Sequence, residues 1–188
     1  MKRILIAVLV LLTIISAHSL AEVRVERTQG VVEYRLPQSP GWETLMVGQN
    51  LPQGTTIISG FNGTAVLLSG NSTIEIEPLS RVVLSTTQIS DVRENTELNM
   101  RYGQVRSQVR RAQNRGTDFS VSSPVSTAAV RGTEFVFSGR ELSVFEGDVA
   151  FSNLAGQQHS VRAGQTSRTW KHLDIESVEA VMLRDLRF

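Results

Sequence analysis

The 188-residue chain is 40% hydrophobic and 20% charged, with a formal net charge of +1. That make-up suits a short leader and one soluble domain large enough for its own core, and it excludes bulk charge as an argument for a nucleic-acid or anionic-surface partner. Cysteine is absent, which removes disulfides and thiolate ligands from consideration.

Lys2 and Arg3 precede the apolar run Ile4 to Ile15, and small residues then lead to Ser19-Leu20-Ala21. A positive start, a short apolar stretch and a small-x-small site predict a secretory signal peptide over residues 1–21, cleaved after Ala21 or, alternatively, near Ser19. The apolar run is too short for a comfortable membrane span. No cysteine follows it, so a lipoprotein anchor is not expected. Lys2 and Arg3 account for two of the 19 basic residues and no acid precedes Glu22. Without residues 1–21, 17 basic residues therefore face 18 acidic ones, about −1. A periplasmic or secreted location is the expectation.

From Glu22 onward short period-two strands alternate with Gly, Pro and Asn punctuation. Val23, Val25 and Arg27 alternate with Arg24 and Glu26, and a second strand runs from Val31 to Leu36. Pro37 to Gly41 forms a turn or loop. Trp42 after it reads as a lid on the core, with ligand stacking as the alternative. Leu51 to Gly54 and Gly60 to Gly63 turn the chain again. Gly70-Asn71 suits a tight hairpin between Thr64–Ser69 and Ser72–Glu77, with Ile74 and Ile76 buried and Glu75 and Glu77 wet. Arg81 to Ser85 is another strand. Gly30-Val31-Val32, Gly103-Gln104-Val105 and Gly147-Asp148-Val149 form a faint repeat of a glycine before a valine-bearing strand. The prediction is a single all-β domain of short antiparallel strands over residues 22–170, a roll or short β-solenoid, with a β-sandwich as the alternative.

Arg101, Arg106, Arg110, Arg111 and Arg115 form the one strongly charged tract. Alternation sets Arg106 and Arg110 opposite Val105, Ser107 and Val109. Such a row could hold phosphates or carboxylates bidentately; the alternative is a solvated hairpin whose charges guard an edge strand. Past Trp170, Ile175, Val178, Met182 and Leu186 fall at helical spacing, so residues 171–188 are predicted as a helical tail capped by Asp174. His159 and His172 stand alone, and neither phosphate-loop nor nucleophile-elbow patterns occur. No catalytic, metal or cofactor site is expected, and an enzyme is not the reading.

Within Ser123–Phe137, Pro124 fixes the entry, small residues follow, and two strands are predicted to meet at a kink at Gly132, with Arg131 at the change of direction. The pattern of Pro124, Val130-Arg131-Gly132-Thr133 and Phe135 resembles the signature of the FecR domain family. Gly30-Val31-Val32, Trp42, Val47 to Leu51, Gly103 to Val105, Glu146 to Val149 and Ala163 to Gln165 fit in order and spacing, covering Val25 to Thr169. The family is best known for relaying ferric-citrate status from an outer-membrane transporter towards a sigma factor, through a cytoplasmic segment and a membrane span ahead of the FecR domain. Here the expected signal peptide would lead straight into the domain. The resemblance therefore implies an exported β-module that binds other molecules, and leaves direct sigma-factor regulation in doubt. Two uses follow. The first is protein binding in envelope signalling, through an exposed strand edge with the terminal helix as a second contact. The second is binding of an envelope glycan or anionic lipid through Arg106, Arg110 and Arg111, with Trp42 or Trp170 stacking.

Overall fold

The computed structural model describes residues 23–111 and 116–169, and the backbone of residues 175–176. The expected signal peptide, Arg115, Trp170 and most of the expected tail helix lie outside them. The described chain is all-β, without a helix, and it forms two nine-stranded sheets that share one core.

The path alternates between the sheets. It opens in the first with β1 (Val23–Gln29) and crosses to the second for β2 (Val32–Arg35) and β3 (Glu43–Thr44). It returns for β4 (Asn50–Leu51), crosses for β5 (Thr56–Ser59), and returns for the hairpin β6 (Thr64–Ser69) and β7 (Ser72–Ile76). The second sheet then gains β8 (Arg81–Ile89) and β9 (Arg93–Tyr102), and the first gains β10 (Val105–Val109). β11 (Gly116–Ser122) and β12 (Ser126–Val130) join the second sheet, β13 (Glu134–Phe137) and β14 (Glu141–Glu146) the first. Finally β15 (Asp148–Asn153) and β16 (Gln158–Arg162) extend the second sheet, and β17 (Thr166–Thr169) and β18 (Ile175–Glu176) the first. β3 and β4 take the outer edges beside β2 and β1, and from β5 onward each visit adds strands on the other side, so the chain winds steadily across the molecule. Among the described pairings only β9 with β11 is parallel.

Period-two patterning decides the faces. β10 buries Val105, Ser107 and Val109, and β13 buries Phe135 and Phe137. Phe135 meets Phe119 of the opposite sheet edge-on at 6.1 Å, and Phe137 meets Phe151 at 6.4 Å, so aromatic pairs join the two layers. The Gly70-Asn71 hairpin forms as expected and rests on Glu94, a buried carboxylate of β9 that accepts from Asn71 N at 3.3 Å. The faint glycine repeat has a structural meaning. Gly30, Gly103 and Gly147 each stand where the chain passes between sheets, all with positive φ, and Gly132 does the same between β12 and β13.

Three expectations are corrected. Ile175–Glu176, placed at the start of the terminal helix, is a strand paired with Arg168 and Thr169, because the open edge of β17 satisfies its backbone. A register shift after Val25 turns Arg27 outward, so it leaves the inward phase of Val23 and Val25. The arginine-bearing strand is neither an edge nor a hairpin arm: β10 is the middle strand of its sheet, between β7 and β13.

Candidate functional site

The signature segment runs from one end of the sheets to the other and back. Pro124 lies in the β11–β12 connection, Arg131-Gly132-Thr133 carries the crossing at the opposite end, and Phe135 plugs the core. Gly132 sits at φ 73°, and a Cβ there would lie 2.7 Å from Cγ of Arg111. Arg111 is thereby laid across the turn, where its Nε donates to the Arg131 carbonyl at 3.4 Å. Val109 N donates to the Thr133 carbonyl at 2.8 Å, which fixes the ends of β10 and β13 together. The Thr133 side chain is buried, its Oγ1 without a hydrogen-bond partner among the described residues. Arg131 points away over the second sheet, with Nε and Nη2 3.0 and 2.9 Å from Asp118 Oδ1, while Arg93 takes the other oxygen at 3.0 Å.

The arginine row divides. Arg106 lies on the outer face of the first sheet, opposite Glu75, and its guanidinium reaches Glu134 Oε1 at 3.2 Å while lying 4.9 Å from the Phe145 ring centroid. Arg27 adds a further pair with Glu75 at 3.6 Å. Nearby Glu77 has its pKa raised, chiefly by burial and next by Glu75, with Arg106 opposing the shift. Arg106 thus belongs to an interleaved charge network with Glu134 and Glu75 at hand. Arg110 and Arg111 stay exposed beyond the end of β10, on a cleft of about 510 Å3 shared with Gln108, Gly132, Thr133 and Glu146. The sequence could not separate them, because Glu134 and Phe145 reach Arg106 only through the pairing of β13 and β14.

Trp42 is half-buried, with the Arg35 guanidinium 4.9 Å over its ring. The ring face expected to close the core or stack a ligand is therefore occupied by an arginine beside β3.

His159 lies on β16. Its Nε2 is 2.9 Å from Ser167 Oγ of the other sheet, and its ring packs edge-on to Phe151 at 6.0 Å. Burial lowers its pKa from the usual 6.5. A depressed histidine pKa favours the neutral folded form, so its contribution to stability is complete above about 6.5 and declines as pH falls through the folded value. Thermal melts should show a fall in midpoint below pH ~6.5 that His159→Gln flattens; parallel profiles would remove His159 as the cause.

The outermost strands are β4 and β18 in the first sheet and β3 and β16 in the second. Three of them are two residues long. β16 has five, paired with β15 through five consecutive positions from Asp148–Arg162 to Ser152–Gln158.

The model of the FecR protein family matches residues 56–150, the stretch from β5 into β15 that contains the signature. The chain belongs to the FecR family. Two crystal structures of a "putative anti-sigma factor" from Parabacteroides distasonis ATCC 8503, at 2.50 and 1.65 Å, share the fold of this FecR chain. Each has a TM-score of 0.54 at 14% identity. The alignments cover 64% and 70% of this chain, and 57% and 65% of the crystallised ones, so the FecR chain spans less than two thirds of either. No curated protein matches it.

Proposed function

We propose that this FecR-family chain is a non-enzymatic module of the bacterial cell envelope, exported after loss of residues 1–21, that serves signalling by binding a protein partner. The observation that carries this reading is the edge of β16. Its outer row of N–H and C=O groups has no neighbouring strand among the described residues; Arg162 at its end bonds Gln165 through both N–H and C=O, and the rest of the row is the part that can template an added strand. The family and the shared fold of the anti-sigma structures support a place in signalling. The alternating path of the chain favours a roll as the finer description of the fold.

A photo-crosslinking residue at Ser160, whose side chain is exposed, is expected to trap one discrete protein in intact cells. Binding of that protein, once purified, should change little between about 0.1 and about 1 M salt, because strand pairing does not depend on surface charge.

A second reading rests on the Arg110–Arg111 cleft, which could take an anionic glycan or lipid headgroup. Recovery of such a polymer alone, lost at high salt and with Arg110→Ala and Arg111→Ala, would replace the first reading with this one.

A further inference from the structure

The connections β1–β2, β5–β6, β7–β8, β9–β10, β11–β12, β13–β14 and β15–β16 all lie at one end of the two sheets. Several present a bulky apolar side chain to solvent. Phe61 is 84% exposed, Leu154 68% and Leu79 56%, with Val31 and Tyr102 also exposed. Leu79 is held at φ 55°, a conformation leucine rarely adopts, by a bond from its N to the Gly60 carbonyl; Gly60 N in turn donates to the Val31 carbonyl at 2.8 Å. The β1–β2, β5–β6 and β7–β8 connections are thus tied together by backbone bonds.

In the middle of this end is a pocket of about 250 Å3, walled by Met100, Tyr102, Pro124, Val125 and Gly139. Its walls are fixed by hydrogen bonds. Ser123 Oγ donates to the Gly139 carbonyl at 2.6 Å and accepts from Val125 N and Ser126 N, while Ser126 Oγ donates to the same carbonyl at 2.8 Å. Gly103, also lining it, packs so tightly on Ser80 that an added Cβ would be 2.4 Å from its Cα. A pocket of this size matches one apolar side chain and little more.

The charge around it has one sign. Arg101 and Arg140 line the rim, both exposed and without an ion-pair partner among the described residues. Arg81 does not line the pocket, but its backbone is paired across the sheet with Tyr102, and its Nε is buried without a hydrogen-bond partner among the described residues. The adjacent carboxylate, Glu141, is engaged by Arg168. An apolar pocket with unpaired arginines at its rim is complementary to an apolar side chain flanked by acids.

We propose that this end receives an acidic segment of the protein partner, with one leucine- or phenylalanine-sized side chain seated in the pocket and flanking carboxylates on Arg101 and Arg140. The inference rests on the protein-binding reading and assigns that partner a second contact, distinct from the β16 edge. Pro124 of the family signature then has a role in recognition as a pocket wall, whereas Arg131 to Thr133 act at the opposite end.

The test uses the full chain and fluorescein-labelled short peptides, rich in Asp and Glu around a single central Leu or Phe, beside versions with the acids replaced by Gln or by Lys. Saturable binding of the acidic peptides is expected, roughly tenfold weaker for the Gln versions and absent for the Lys versions. Amide shifts should fall in residues 100–103, 123, 125 and 138–140. Arg101→Gln with Arg140→Gln should weaken binding by roughly tenfold at unchanged melting temperature, and Val125→Trp, which fills the pocket, should abolish it. If Val125→Trp does not fold, the double arginine variant still decides. Binding indifferent to these changes, self-association through these loops, or adsorption to lipid vesicles instead of peptides would overturn the proposal. Absence of peptide binding while Ser160 still captures a protein would remove the pocket and leave the protein-binding reading standing; loss of both would remove both.

Discussion

Phe135→Ala is expected to remove about 3–5 kcal/mol of folding stability, enough to threaten the native state of a single domain. Phe135 is fully buried in the middle of the first sheet, its backbone paired with Ser107 on one side and Val144 on the other. Its ring meets Phe119 across the core. Removing the ring loses its transfer free energy and leaves a void that β10, β13 and β14 cannot close, because their ladders hold them in register. Urea unfolding followed by far-ultraviolet circular dichroism measures this directly. A loss below about 1 kcal/mol would mean that the layers repack, and that the aromatic pairs do not hold them together.

Gly103→Ala should be nearly as damaging, and Gly132→Ala should not. Both glycines have positive φ, at 99° and 73°, which costs an L-residue on the order of 1–3 kcal/mol. They differ in what a methyl group would meet. At Gly103 it would sit 2.4 Å from the Cα of Ser80, whose Oγ bonds both the N–H and the carbonyl of Gln104, so backbone would have to move. At Gly132 its three nearest atoms would all belong to the long side chain of Arg111, which can swing away. The expected losses are on the order of 3 kcal/mol or more for Gly103→Ala and about 1 kcal/mol for Gly132→Ala. Equal losses would show that backbone conformation alone sets the cost. Gly132→Ala should also displace Arg111 from the cleft, which makes it a probe of the polymer-binding reading at small expense in stability.

The sites show where the sequence was readable. Arg106 and Arg110 belong to one period-two row in the sequence, yet only the pairing of β10 with β13 brings Glu134 to the first and leaves the second open. Likewise Trp42 reads as an unoccupied aromatic until Arg35, seven positions away on β2, lies over it. Arg101 and Pro124 stand out in the sequence, but nothing there brings Arg140 beside them, because segments far apart in the chain build the rim. Strand β9 is hidden for a related reason: it is rich in Glu, Asn and Arg, and its inward residues include Glu94 and Thr96. A buried polar face hides the hydrophobic alternation on which strand recognition depends.

What the sequence determined by itself was local: the all-β class, the Gly70-Asn71 hairpin, the inward valines and phenylalanines, the bend at Gly132 and the FecR signature. These follow from side-chain period, turn chemistry and backbone freedom, which act over a few residues. Tertiary structure alone decided that the glycines mark passages between two sheets, that the arginine strand is central, and that Ile175–Glu176 is extended. It also decided which cations remain unpaired. Those outcomes depend on backbone groups and charges finding partners distant in the chain, and no local pattern encodes which partner arrives.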